Sequence, residues 1–139
     1  MDLAKKVVNK MMSGDAFSQW LGIEVLEIAT GFCKLQLKVR EEMTNGFKIA
    51  HGGIAYSLAD SCLAFAANSE GLQAVSIETS ISHTKKVNSG DTLTATSKQI
   101  YKSSKTGLYY ITITNQNNQE VAHFKGTVFR TEKEWFPKN

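Results

Sequence analysis

The sequence predicts an α+β domain in which an antiparallel sheet of five or six strands wraps around one long central helix. Three observations lead to this fold class. The segment 52–68 is apolar on most sides at helical spacing, as a buried helix is. Segments on either side of it alternate apolar and polar residues, the period of a half-buried strand. The connections between the later segments are short, which favours antiparallel hairpins between consecutive strands.

Length and composition predict a single domain over 1–139. The chain is 42% hydrophobic and 21% charged, as ordinary globular proteins are, and its net charge of +3 requires no nucleic-acid partner. Its two cysteines fit neither a disulfide framework nor a CxxC metal site. No segment resembles a secretory signal or a membrane span. We therefore expect a cytoplasmic enzyme or binding protein without a membrane or nucleic-acid partner.

The first half of the chain predicts helices and then strands. Apolar residues on one face predict a first helix, and Asp15 can cap a second, so that the N-terminal helices cover about 3–21. Strands are expected over 22–28 and 33–39, the second with strict alternation.

The central helix is expected over about 52–69, because Gly71 ends the apolar pattern. A loop precedes it. Four strands are predicted after it: 74–83, 92–101, 108–115 and 120–131.

The start of the central helix is the first candidate site. It begins at Gly52 and Gly53, with no Ser, Thr, Asp or Asn directly before them. Unpaired N–H groups in a first turn can bind an anion or a carbonyl oxygen that gains negative charge, and glycine allows close approach. Alternatively, His51 or Asn45 caps the helix and the glycines only fit a tight turn. The spacing leaves both interpretations open.

Asp60 is the second candidate, since it is the only charged residue between Lys48 and Glu70. A lone carboxylate on a buried helix is costly unless it is paired or lies in a polar cleft, and desolvation raises its pKa toward that of a general base. The alternative is a polar stripe that faces solvent or another subunit, formed with Ser57, Ser61 and Asn68.

Gly52 and Asp60 lie about 12 Å apart along one helix, at the usual rise per residue. They cannot both touch one reacting carbon unless two helices pack antiparallel across a dimer. The sequence therefore suggests an active site shared between subunits.

No metal site is expected. The three histidines, His51, His83 and His123, are scattered, and no carboxylate or cysteine stands at ligand spacing from them.

These residues resemble the hot-dog-fold acyl-CoA thioesterases, and most of all the PaaI type of phenylacetic acid degradation. The likeness covers nearly the whole chain. The segments that carry it are Asn45, His51-Gly52-Gly53, Ser57-Leu58-Ala59-Asp60, Asn68-Ser69-Glu70-Gly71, Gly90-Asp91-Thr92-Leu93 and Phe124-Lys125-Gly126.

The resemblance implies a hot-dog fold, a homodimer with one continuous sheet, and a homotetramer of two such dimers. It implies hydrolysis of an acyl-CoA thioester to a free acid and coenzyme A. Coenzyme A is then part of the substrate, and no metal or cofactor is required. Phenylacetyl-CoA or a hydroxylated derivative is a candidate substrate.

The resemblance also assigns roles. Asp60 would be the base or nucleophile, and the amide of Gly52, with that of Gly53, would polarise the thioester carbonyl. Asn45 would orient water or substrate, and His51 would support the loop and the helix start.

Three further residues would bind the substrate. Ser76 matches a position where some relatives carry a hydroxyl near the water. Lys85 and Lys125 would contact coenzyme A, although relatives often have arginine at both positions, and lysine lacks the bidentate geometry of arginine.

Two other functions remain open at this point. A non-catalytic acyl-CoA-binding module would use the same fold without turnover. An acyl-CoA dehydratase on this fold would use a histidine–aspartate pair, for which His51 is available.

Overall fold

The structure, a computed structural model that describes residues 1–138, confirms the α+β class and the sheet wrapped around a long helix. The helices are α1 (Leu3–Gly14), α2 (Ala16–Leu21) and α3 (Gly52–Asn68). The strands are β1 (Glu24–Ala29), β2 (Phe32–Lys38), β3 (Leu72–His83), β4 (Thr92–Lys102), β5 (Thr106–Thr114) and β6 (Glu120–Glu134). Within residues 1–138, no helix combines the length and the hydropathy needed to cross a bilayer.

The six strands form one antiparallel sheet in the order β1-β2-β4-β5-β6-β3. The predicted pairing of consecutive later strands is correct for β4 with β5 and for β5 with β6, and β1 also pairs with β2. It is wrong for β3 with β4, because β3 pairs with β6 at the edge of the sheet.

The segment 84–91 explains this difference. It does not turn back on β3. The amide of Ala50 donates to the carbonyl of Val87, and the amide of Val39 donates to that of Asp91, both at 2.8 Å. These bonds hold the segment beside the start of α3 and the end of β2. The next strand, β4, therefore begins next to β2 and not next to β3.

Helix α3 forms the centre of the core. Leu58, Ala59, Cys62 and Ala66 are fully buried against the sheet. Cys62 and Cys33 of β2 are both free and buried, as core thiols are. The near-continuous apolar surface that the sequence shows over α3 is therefore a consequence of burial on most sides.

A buried ion pair fixes the C-terminal end of α3 to the sheet. The Glu70 carboxylate pairs with Arg130 of β6, and Lys102 Nζ lies 3.1 Å from its Oε1. Burial by itself raises the pKa of Glu70. The hydrogen bonds from Gln99 and Lys102 and the charge of Arg130 outweigh burial and lower it.

Candidate active site

His51 caps α3, which decides between the two interpretations of the helix start. Its Nδ1 accepts a hydrogen bond from the Gly53 amide at 2.9 Å. Of the two interpretations that the spacing left open, the structure favours a helix start capped by His51, and the Gly53 amide is occupied. The Gly52 amide donates to no acceptor within residues 1–138. One free N–H thus remains at the positive end of the helix dipole.

The capping bond also fixes the state of the His51 ring. A nitrogen that accepts a hydrogen bond carries no proton, so the neutral ring has its proton on Nε2. The His51 amide donates to the carbonyl of Met43 at 2.8 Å, which ties the helix start to the preceding loop.

Asn45 organises that loop. Its Oδ1 accepts from the amides of Phe47 at 2.9 Å and Ile49 at 3.4 Å. The backbone amide of Asn45 donates to the Ile49 carbonyl at 2.8 Å. Its side-chain Nδ2 has no hydrogen-bond acceptor in the described part of the chain, so it is free to donate to a molecule in the adjacent cavity.

A cavity of about 360 Å³ opens at the start of α3, and we call it the Gly52 cavity. Asn45, His51, Gly52 and Lys85 line it. His83 and Lys86 also line it, and neither is among the predicted site residues.

His83 is the side chain nearest to Gly52. A Cβ placed on Gly52 would lie 3.5 Å from His83 Nε2. The lysines give the Gly52 cavity a basic rim, and ammonium groups of this kind suit the phosphates of a ligand. Only the fold could place His83 here, because it lies 31 positions after Gly52.

A second cavity of about 410 Å³ lies beside Asp60, and we call it the Asp60 cavity. Ser76 of β3 also lines it. Most of the other lining residues are apolar: Met11, Leu63, Ala64, Ala74, Val75, Val128 and Trp135. Met11 and Trp135 come from the two ends of the chain, and the sequence analysis did not select them.

The surroundings of Asp60 disfavour its charged form. Burial, and then the negative charge of Asp15, raise the pKa of Asp60 above its ordinary value. Asp15 caps α2 by accepting from the Ser18 amide at 2.9 Å. The Ser18 hydroxyl in turn lies 2.8 Å from that of Ser61 on α3. Asp60 forms no ion pair with any residue from 1 to 138.

The proposed polar stripe on α3 does not face solvent as a unit. Ser61 bonds to Ser18, and the Asn68 side chain is buried and hydrogen-bonded inside the protein. Asp60, the one carboxylate of α3, lines a cavity.

One protomer does not bring the predicted residues together. Gly52 and Asp60 line different cavities and lie about 12 Å apart along α3. Lys125 lines neither cavity. Its neighbour Phe124 is buried beneath α3, so the alternation of β6 points Lys125 away from both.

No group of three His, Cys, Asp or Glu side chains in the described part of the chain is close enough to hold a metal ion. The groups in the two cavities are suited to electrostatic, acid–base and nucleophilic catalysis. A free helix N–H can stabilise an oxyanion, and a desolvated carboxylate can take a proton or attack a carbonyl carbon.

Comparison with known proteins agrees with this chemistry. Residues 47–122 match the thioesterase superfamily, which is more than half of the chain. Acyl-coenzyme A thioesterase PaaI of Escherichia coli is 39% identical over 120 residues, which cover 86% of this chain and 86% of that protein.

Solved structures give the same result. The Escherichia coli PaaI protein from the phenylacetic acid degradation operon superposes with a TM-score of 0.92 at 37% identity, over 94% of this chain and 95% of that one. A hypothetical thioesterase protein of Streptococcus pneumoniae, solved with coenzyme A, superposes with a TM-score of 0.84 at 27% identity, over 90% and 98% of the two chains.

Proposed function

The chain belongs to the thioesterase superfamily, and we propose that it hydrolyses an acyl-CoA to a free acid and coenzyme A at a site shared between two copies of the chain. The single observation that carries the shared site is the division of the chemistry between two cavities. The free Gly52 amide and the lysines are in one, and Asp60 is in the other.

Strand β3 offers the surface on which two copies would meet. It is an edge strand, and the side chains of Val75 and Ile77 are 57% and 61% exposed. Exposed apolar edge strands are templates for pairing with another chain. Antiparallel pairing of β3 with its copy would extend the sheet and set the two α3 helices antiparallel. Gly52 of one copy would then approach Asp60 of the other. Two such homodimers would form the homotetramer.

The reaction follows from these positions. The thioester carbonyl oxygen accepts a hydrogen bond from the Gly52 amide, and the helix dipole favours the negative charge that develops there. Asp60 of the partner takes a proton from water, which attacks the carbonyl carbon. Alternatively, Asp60 attacks that carbon and forms an anhydride that water then hydrolyses. In both routes the carbon–sulfur bond breaks, and the thiolate of coenzyme A leaves and takes up a proton.

The other residues support these steps. The free Nδ2 of Asn45 and the hydroxyl of Ser76 orient water or the substrate, and His51 holds the helix start. Gly53 has only a backbone role in this scheme, because its amide is bonded to His51. Lys85 pairs with phosphates of coenzyme A. Lys125 could do so only toward a neighbouring copy, because it points away from both cavities of its own chain.

The reaction uses no metal and no cofactor other than the coenzyme A of the substrate. An aryl-acetyl group is the acyl group that we propose, because the relative from Escherichia coli is the PaaI protein of phenylacetic acid degradation.

Asp60→Asn tests the function. With phenylacetyl-CoA in a thiol-release assay, we expect kcat to fall by about 10²–10⁴ with little change in KM, because the base or nucleophile is lost while substrate contacts remain. Asp2→Asn, the same change at the exposed cap of α1, serves as the control.

Full activity of Asp60→Asn would remove Asp60 from the mechanism. Tight binding of the ester without turnover in the native protein would favour a binding module. A change in enoyl absorbance without thiol release would favour a dehydratase. Transfer of ¹⁸O from labelled water into the Asp60 carboxylate in a single turnover would identify the nucleophilic route.

A further inference from the structure

We propose that the Asp60 cavity holds the acyl group and that Trp135 and Met11, supplied by the two ends of the chain, close it and set the length of acyl group that it accepts. The proposal rests on the function proposed above. It adds the residues that determine specificity.

The shape of the cavity supports this assignment. Its α3 wall runs from Asp60 to Asn68, two helical turns or about 12 Å. An acyl group that fills this cavity from a thioester carbon beside Asp60 would extend toward Asn68. The wall between them is formed by Leu63 and Ala64, so the path is apolar. The volume of about 410 Å³ is within the range of small-molecule sites.

Asn68 offers no free hydrogen-bonding group at the far end. Its Nδ2 donates to the carbonyls of Ala64 at 2.8 Å and Ala74 at 3.0 Å. Its Oδ1 accepts from the Ala74 amide at 2.9 Å and from Trp135 Nε1 at 2.8 Å. An amide side chain has two donors and two main acceptor positions, so all four are used. Of the two polar side chains besides Asp60 and Ser76 that line the cavity, Asn68 and Gln73, Asn68 therefore has no group left for a polar acyl group.

Trp135 is held firmly enough to act as a wall. Besides the bond from its ring to Asn68, its amide donates to the Gly71 carbonyl at 2.9 Å. Lys10 of α1 lies over its ring at 5.9 Å and over that of Phe136 at 5.0 Å. The cation–π contacts connect the C-terminal segment to the helix that supplies Met11.

Gly71 allows α1 to come this close. A Cβ there would lie 2.9 Å from Leu3 Cδ2, a distance that real Cβ atoms do not show, and the φ of +106° also favours glycine. The two chain ends and the turn after α3 therefore form one packed unit, which closes the cavity opposite Asp60.

The test compares kcat/KM for dodecanoyl-CoA and acetyl-CoA. An acetyl group is too short to reach the wall, so acetyl-CoA is the internal reference. Trp135→Ala should raise the dodecanoyl-to-acetyl ratio about tenfold or more, and Met11→Ala should raise it less. Trp135→Phe, which keeps an aromatic ring, should change it little. The matched control is Phe136→Ala, since Phe136 stacks under the same lysine but does not line the cavity. An unchanged ratio in folded Trp135→Ala, or an equal rise in Phe136→Ala, would overturn the proposal.

A binding measurement decides the matter even if Trp135→Ala fails to fold or the protein hydrolyses no CoA ester. In a Trp20→Phe and Asp60→Asn double variant, Trp135 is the only tryptophan. Phenylacetyl-CoA should change its emission and coenzyme A alone should not. Equal effects of the two compounds would place the acyl group elsewhere. Absence of hydrolysis in the native protein would instead contradict the proposed function.

Discussion

Asp60, in the middle of α3, and Glu70, just after its end, have pKa values shifted in opposite directions, and their neighbours explain why. Glu70 is hydrogen-bonded and paired with cations, which lowers its pKa despite burial. Asp60 forms no ion pair within the described part of the chain, and burial together with the charge of Asp15 raises its pKa. This contrast is consistent with a structural role for Glu70 and with the acid–base role that we propose for Asp60.

The raised pKa of Asp60 predicts how activity depends on pH. Asp60 must be ionised to act as base or nucleophile, so kcat should fall as the pH falls through its pKa. Asp15→Asn removes one of the two causes of the shift and lowers that pKa. The acid limb of the kcat profile should therefore move to lower pH.

The helix cap survives this change, because asparagine caps as well as aspartate. Asp2→Asn makes the same substitution at the cap of α1 and should leave the limb in place. A limb that is identical in native protein and Asp15→Asn would show that the charge of Asp15 does not act on the reacting group.

Some residues of the site could be predicted from the sequence and others could not. Asp60 stands out because no other charge occurs between Lys48 and Glu70. The sequence could not predict whether His51 caps the helix or leaves its start free. The cap depends on the extended backbone of His51 and on the direction of its ring. The occupied Gly53 amide follows from the same geometry.

At the scale of elements, the first turn of α3 combines a cap and a free donor. Gly52 occupies the first helical position, where proline is well tolerated and lacks the N–H group. The residue before a proline must be extended, and His51 already is, with φ −60° and ψ 139°. Gly52→Pro is therefore a substitution that removes one hydrogen-bond donor and keeps the helix.

Gly52→Pro should lower kcat by about 10²–10³, the usual effect of losing one oxyanion donor. Gly52→Ala is the matched control, because it retains the N–H and places its Cβ in ordinary contact with His83, at 3.5 Å. Steady-state kinetics of both variants measure the difference in kcat, and circular dichroism verifies that both are folded. Equal activities in folded proline and alanine variants would exclude the Gly52 amide as the oxyanion donor.

The strands show where prediction from local patterns ends. Alternation locates β2 and the hairpins, because the signal lies within each segment and its turn. The partner of β3 is set by bonds that Val87 and Asp91 make with distant residues, and no local pattern encodes them. The Asp60 cavity also depends on distant residues that no local pattern connects. Met11 and Trp135 are 124 positions apart in the sequence and meet only through the fold.

For the whole molecule, the length of α3 separates Gly52 and Asp60, the two groups to which we assign the reaction. The helical rise alone predicts that Gly52 and Asp60 of one chain cannot meet, and the fold places them in different cavities. The exposed edge of β3 is the surface that pairing of two copies would cover. The sequence pointed to sharing between subunits. It could not identify β3 as the edge strand, because that depends on the order of the sheet.

The sharing of the site is tested most directly by complementation. Asp60→Asn and Gly52→Pro chains are co-expressed with different tags. The mixed dimer is purified through both tags under conditions that keep dimers apart from tetramers, because a tetramer of two parent homodimers would also carry both tags. Each parent should be nearly inactive. The mixed dimer has one site with both Gly52 and Asp60 intact and one with both changed, so it should recover about half of the native activity per dimer. A mixed dimer no more active than its parents would contradict a site built from two chains.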